Sequence, residues 1–320
     1  SQTLMRITAK VLEGMGGVLE QAKPDLVLVH GDTSTTFVAA LASFYAKVKV
    51  GHVEAGLRTY DKYSPFPEEM NRTLTGDIAD LHFAPTRANA ENLRRENITK
   101  NVYVTGNTVI DALSTTVQHP YTFACSRLNQ INYDKEQVIL LTAHRRENYG
   151  EPFQNIMDAA RRVAQEQPGV RIVYPVHLSP YVQQMARDNL GDIPNVELVE
   201  PLGVVDMHNL MERVTLVMTD SGGIQEEAPS LGKPVLVLRR ETERPEAVAA
   251  GTVRMAGVER NAIAQMALTL LRDPAEYRKM AQAVNPYGDG QASRRIADAI
   301  LYAFGRTEQP PEDFAATAEA

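Results

Sequence analysis

Short, continuously apolar runs recur along the chain, and stretches with apolar residues at helical spacing separate most of them. Leu26-Val27-Leu28-Val29 reads as a buried strand, cut off by Pro24-Asp25 from the helical period of residues 4–19. Residues 35–45 read as a helix and 48–53 as the next strand. Further strands are expected at 81–83, 102–105, 138–141, 171–174, 196–199, 216–219 and 235–238. Strands apolar on both faces and interleaved with helices require parallel sheets covered on both sides. The expected fold class is therefore α/β, with doubly wound sheets.

At roughly 150 residues per domain, the 320 residues suggest two domains. Segment 120–136 lacks a period and precedes a fresh strand–helix series, so it reads as the linker. The first domain is expected over 1–111 and the second over 112–290, with a last helix at 292–304. Two facing doubly wound domains would put a ligand cleft at the carboxyl ends of both sheets. The acidic tail 307–320 has few large apolar residues and is expected to be disordered. The first domain opens with a helix rather than a strand, and residue 1 is Ser. The expectation is that its first strand and phosphate-facing turn are absent from this sequence.

Composition narrows the function classes. The net charge of −7 argues against a nucleic-acid partner, which needs a broad basic face, but leaves room for a phosphate-bearing small ligand. No apolar run reaches the ~18 residues of a membrane helix, so no membrane partner is expected. No signal pattern opens the chain and Cys125 is the single cysteine, which points to the cytoplasm and against a disulfide framework or Cys-based zinc site. No cluster has metal-ligand spacing and no Gly-x-Gly-x-x-Gly follows a strand, so neither metal nor NAD is expected as a cofactor.

Several constellations carry chemistry. The stretch Thr219-Asp220-Ser221-Gly222-Gly223-Ile224-Gln225-Glu226-Glu227 follows a strand and reads as a helix start. Its free N–H groups would hold a diphosphate, with Ser221 adding a hydroxyl and Gly222 and Gly223 allowing close approach. Glu227, one to two turns in, suits a pair of ribose hydroxyls. The plainer reading is a helix cap at Asp220 or Ser221. Arg244 follows the next strand on the same sheet edge, where a guanidinium suits a phosphate or a carboxylate, or else forms a surface ion pair. The runs His30-Gly31-Asp32-Thr33, His52-Val53-Glu54 and Pro67-Glu68-Glu69-Met70-Asn71-Arg72 offer three carboxylates, Asp32, Glu54 and Glu68, for one cleft wall. Each alone reads as a cap or ion-pair partner; three at successive strand ends point to acid–base work. The cationic run His144-Arg145-Arg146-Glu147-Asn148 suits a leaving phosphate. His177 reads as a structural histidine, and His82, His119 and His208 carry no pattern.

At these residues the sequence resembles the non-hydrolysing UDP-N-acetylglucosamine 2-epimerase family. Thr105-Gly106-Asn107-Thr108, Thr242-Glu243-Arg244-Pro245-Glu246 and Asn285-Pro286-Tyr287-Gly288-Asp289-Gly290 match as well, in family order and spacing. The family's opening Gly-Thr-Arg-Pro-Glu and the Gln-His stretch of its bacterial allosteric site are not found here. Met207 stands where the family often has an aromatic beside the uracil; a thioether covers a base face with less shape selectivity. The resemblance implies a glycosyltransferase-B architecture, with helix 291–306 completing the first domain, and a homodimer serving cell-surface polysaccharide biosynthesis. It implies an isomerase that interconverts UDP-GlcNAc and UDP-ManNAc without NAD or metal, through elimination of UDP to 2-acetamidoglucal and re-addition. In that scheme Asp32, Glu54 and Glu68 address C2, while Ser221, Gly222, Gly223, His144, Arg244, Glu227 and Met207 bind UDP. The alternatives are an epimerase for another UDP-sugar such as a diacetamido-uronate, a hydrolysing epimerase, a glycosyltransferase, or a non-catalytic nucleotide-sugar binder.

Overall fold

The computed structural model describes residues 3–242 and 244–316. The chain divides into two compact units, one holding Ser1–Asp111 with Tyr287–Ala315 and the other Ala112–Pro286.

In the first unit, α1 (Leu4–Ala22) leads to β1 (Leu26–His30), followed by α2 (Ser34–Tyr45), β2 (Lys49–Val53), α3 (Glu68–Ile78), β3 (Leu81–Ala84), α4 (Arg87–Arg95) and β4 (Val102–Val104). The four strands form a parallel sheet in the order β1-β2-β3-β4. Helix starts follow from local chemistry. The Thr33 hydroxyl accepts the Thr36 N–H at the head of α2, and Thr86 and Asn89 form a reciprocal capping box on α4. One face of the sheet buries Val29 and Val50 with Ala39 and Ala40 of α2. On the other face, Leu81, Phe83 and Tyr103 pack with Ile296 and Ala299 of the last helix.

In the second unit, α5 (Thr108–Thr116) brings the chain in, and the strand–helix series begins with β5 (Gln137–Thr142), α6 (Glu151–Glu166), β6 (Val170–Pro175), α7 (Pro180–Leu190), β7 (Val196–Val199) and α8 (Val204–Arg213). It continues through β8 (Leu216–Thr219), α9 (Ile224–Ser230), β9 (Val235–Val237), α10 (Pro245–Ala250), β10 (Val253–Met255), α11 (Arg260–Arg272) and α12 (Pro274–Ala281). Helix α13 (Ala292–Ala303) then returns to the first unit. The sheet is parallel in the order β10-β9-β8-β5-β6-β7. Ile139 and Leu141 pack into the cluster with α6, α7 and α11, while Val138 and Leu140, pointing the opposite way, are equally buried. Both faces are therefore covered, and each such side chain contributes about 1.5–3 kcal/mol.

The structure departs from the sequence expectations in four places. Residues 120–136 are not a free linker: Phe123, Leu128 and Ile131 are buried, and the Asn129 amide brackets the backbone of Phe123 from both sides. Those apolar residues fill gaps at irregular spacing, so no period betrays them. The border falls at Pro286 rather than 290. β10 is absent from the expected strands, because a three-residue edge strand with Arg254 at its centre carries no apolar run. The tail, expected to be disordered, is packed as far as it is described. The Phe314 N–H donates to the Val104 carbonyl, the Val104 N–H donates to the Asp313 carboxylate, and the Phe314 ring is buried with Ala55, Ala84 and Leu93. One aromatic on an open sheet edge outweighs the acidic composition around it. Residues 317–320 lie outside the described residues.

Candidate active site

The first unit gathers its acidic side chains around the ends of β1 and β2. These strands lie in register with His30 opposite Val53, so Asp32 and Glu54 leave the sheet side by side. Between them sits Gly31 at φ +70, and a Cβ there would stand 3.1 Å from the Glu54 Oε2. Glu54 itself holds φ +66, a conformation costly for a residue with a side chain, and strain of this kind concentrates at functional sites. Its carboxylate lies 3.4 Å from the His30 ring. Asp32 accepts from Arg72 Nη2 at 2.5 Å, and its backbone carbonyl accepts from Asn71 Nδ2 at 2.9 Å. Both donors belong to α3, whose first residue is Glu68, one turn before Arg72. Asp32, Glu54 and the first turns of α3 thus form one acidic group with a buried guanidinium set into it.

Glu69, not Glu68, is the buried carboxylate of α3. Its Oε1 accepts the N–H groups of Thr59 and Tyr60, both at 2.9 Å, and its Oε2 lies 3.5 Å from Arg72. Glu69 therefore braces the loop before α3, while Glu68, its neighbour, is only half-buried. The roles of Arg72 and Asn71 are not visible in the sequence, where they simply close the run that begins at Pro67. The signal that could have found Arg72 is its spacing from Glu68, which puts position 72 on the same helix face.

In the second unit the strand order reverses between β5 and β8, the neighbours from which the chain winds in opposite directions. Sheets of this kind bind ligands at such a reversal, beyond the carboxyl ends of the strands. Thr142 and Thr219 join the two ends through their hydroxyls at 2.6 Å. Asp220 is fully buried. Its Oδ2 accepts the backbone N–H groups of His144 and Arg145, both at 2.8 Å, and the Asn148 amide at 3.3 Å. So Asp220 does not cap α9; it shapes the loop that presents His144. The His144 ring lies 3.5 Å from Asp220 and stacks on His177 with centroids 5.3 Å apart. Burial lowers the His144 pKa, with Asp220 opposing and His177 and Arg145 adding to the effect. His177, read as structural, thus packs directly on the His144 ring.

Ser221, Gly222 and Gly223 lead from β8 into α9. A Cβ on Gly223 would meet the Glu227 carboxylate at an ordinary 3.6 Å, so no clash forbids a side chain there. Glu227 falls in the first turn of α9, nearer the helix start than expected, and burial raises its pKa despite the charge of Arg244. His208 of α8 comes within 3.7 Å of Glu227 and accepts or donates at 2.7 Å to Thr116. A single histidine on a helix gave no signal of this. Met207, its half-buried chain neighbour, sits at the same end of α8. Arg244 is buried and its Nε donates to Glu226 at 2.5 Å, while Thr242 donates to Gln225 at 2.7 Å, which ties the loop after β9 onto α9. The second unit therefore brings Ser221, Glu227, Arg244 and His144 to the carboxyl ends of its strands, with Asp220 bonded to the His144 loop and Glu226 to Arg244.

Among the described residues no group of three or more His, Cys, Asp or Glu side chains has the arrangement of a metal site, and no helix is long and apolar enough to cross a membrane.

The family model described as UDP-N-acetylglucosamine 2-epimerase matches residues 1–301. The UDP-N-acetylglucosamine 2-epimerase of Bacillus subtilis is 55% identical over 314 residues, covering 98% of this chain and 82% of that enzyme. Among solved structures, the S. aureus protein MnaA in a co-structure with UDP superposes with a TM-score of 0.93 at 50% identity, covering 98% of this chain and 86% of that one. The Neisseria meningitidis UDP-GlcNAc 2-epimerase bound to UDP-GlcNAc gives 0.85 at 47% identity, covering 94% and 82%.

Proposed function

This chain belongs to the UDP-N-acetylglucosamine 2-epimerase family and is an isomerase of UDP-GlcNAc; we propose that it inverts C2 by eliminating and re-adding UDP. No carbonyl neighbours C2 to acidify its hydrogen. Departure of UDP from C1 with the bonding electron pair leaves positive charge at C1, and the C2 hydrogen then becomes removable as a proton. A carboxylate takes that proton, the C–H electrons form the C1–C2 double bond of 2-acetamidoglucal, and a carboxylic acid returns a proton to the opposite face. UDP oxygen then re-adds at C1. The balance closes without any oxidant, so NAD is not called for.

Asp32, Glu54 and Glu68 are assigned to the two faces of C2. The charge that grows on UDP is assigned to the Ser221-Gly222-Gly223 backbone, His144 and Arg244, where fixed donors stabilise a developing anion. Glu227 is assigned to the ribose and Met207 to the uracil. The observation that carries this reading is the placement of Asp32 and Glu54 on adjacent strand ends of one unit, in different settings. Asp32 is paired with a guanidinium and Glu54 with an imidazole. An acid and a base built from two carboxyl groups call for such unlike neighbours.

Incubation of UDP-GlcNAc with the protein in D₂O tests this. Deuterium is expected at C2 of UDP-GlcNAc and UDP-ManNAc, with the sugar still bound to UDP. Turnover without label at C2 would sink the elimination route, and free ManNAc with UDP would make the protein a hydrolysing epimerase. By the same reading it works as a cytoplasmic homodimer that supplies cell-surface polysaccharide synthesis. Family likeness and the single cysteine support this, and light scattering of the purified protein tests the dimer.

A further inference from the structure

A reacting carboxylate is placed only as well as the backbone that carries it. The turn that carries Asp32 is held at three consecutive carbonyl groups. The His30 carbonyl accepts from Thr36 Oγ1 at 2.6 Å, the Gly31 carbonyl from His52 Nε2 at 2.8 Å and the Asp32 carbonyl from Asn71 Nδ2 at 2.9 Å. The donors come from α2, β2 and α3, so three elements fix one turn from three directions. Gly31 also donates its N–H to the Val53 carbonyl at 3.0 Å. β2 therefore grips both polar groups of the residue that stands between Asp32 and Glu54.

We propose that His52 is a positioning residue for the epimerisation, its Nε2–H clamped on the Gly31 carbonyl so as to set Asp32 against Glu54. The inference rests on the reading that these two carboxyl groups serve C2. A carbonyl oxygen only accepts, so the ring must carry its hydrogen on Nε2. The ring is fully buried, and its Nδ1 has no hydrogen-bond partner among the described residues. A buried nitrogen left unpaired costs on the order of 1–3 kcal/mol, and an apolar side chain would avoid that cost. A ring kept there in spite of it is explained by the one bond it makes. Burial also lowers its pKa to about 4, so the clamp keeps a single protonation state across the neutral range.

Two substitutions separate positioning from packing. His52→Gln keeps an N–H donor at the reach of Nε2, and His52→Asn carries the same amide on a shorter arm. The Asn variant is expected to lose about 10²-fold in kcat, the scale of a displacement of about 1 Å, with KM within about twofold. Deuterium entry at C2 should fall in step, and the Gln variant should recover most of both. UDP affinity, which belongs to the second unit, should not move in either. Equal losses in the Gln and Asn variants, or normal turnover in the Asn variant, would overturn the proposal. Should neither variant fold, nitrogen-15 NMR of the unaltered protein still decides. A neutral ring with a slowly exchanging Nε2–H is expected, and an Nδ1–H tautomer overturns the clamp. Absence of label at C2 with the unaltered enzyme would instead remove the elimination reading, and it leaves the tautomer result standing.

Discussion

Arg72 holds the Asp32 carboxylate at 2.5 Å from a side chain that is itself 5% exposed. Its Nη1 lies 3.5 Å from Glu69, which is buried too, so one guanidinium serves two carboxylates. Removing one partner of a buried ion pair leaves the other uncompensated, at a cost of about 3–5 kcal/mol. Arg72→Leu is therefore expected to lower the urea midpoint markedly and to abolish measurable turnover. Arg72→Lys keeps the charge but not the planar fork, so it should recover part of the stability and little of the turnover. An unchanged urea midpoint in the Leu variant would mean that the guanidinium carries no structural weight.

Asp32→Asn removes the ability to accept or return a proton while keeping the size of the side chain. Turnover is expected to fall by roughly 10²–10⁴-fold, the usual scale of acid–base assistance. Calorimetric titration with UDP should give the parental Kd, since the nucleotide is assigned to the other unit. A variant that turns over normally would take Asp32 out of the mechanism.

The sheets were legible in the sequence because they are made of residues such as Val138, Ile139, Leu140 and Leu141, whose unbroken apolar run suits a strand buried on both faces and little else. The strand ends that carry His30, His52, His144 and Ser221 followed from the same runs, and with them most of the site. What the sequence hid are the partners that meet only in three dimensions. Asp220 read as a helix cap, yet it binds a loop 76 residues earlier in the chain. Phe314 lies in a stretch whose composition suggests disorder, and it is ordered by a distant sheet edge, through its own bond to Val104 and the bond that Asp313 beside it makes at a separation of 209 residues. Pairings of this kind leave no local period.

His52 and His82 lie opposite each other on β2 and β3, and burial pulls each ring from an ordinary 6.5 down to about 4. In the unfolded chain both rings take up protons below pH 6.5, whereas the folded rings resist until about pH 4. Between those values the unfolded state binds more protons, so stability falls as the pH falls. The contribution is fully present above 6.5 and exhausted below about 4, and it amounts to about 3 kcal/mol for each ring. Urea midpoints measured at about pH 7 and about pH 4.5 should show this loss. His82→Gln should remove about half of this loss and leave the His52 share, and an equally steep profile in that variant would mean that the His82 ring carries none of it.

Glu227 sits beside His208 at the start of α9, where burial raises its pKa. A carboxyl group held in a desolvated position is ready to exchange that cost for hydrogen bonds from a ligand. If it takes the two ribose hydroxyls of UDP, Glu227→Gln loses one charge-assisted acceptor and turns a donor toward one hydroxyl. Hydrogen bonds to charged groups contribute about 1.5–3 kcal/mol, so the UDP Kd should rise roughly 10- to 100-fold. The effect should appear equally with UDP and UDP-GlcNAc, because the sugar is not involved, and kcat at saturation should change far less. Since the folded pKa is raised, the parent protein should also lose UDP affinity as the pH falls and the carboxylate protonates, and the Gln variant should lack that dependence. A parental Kd in the Gln variant across the same pH range would place the ribose elsewhere.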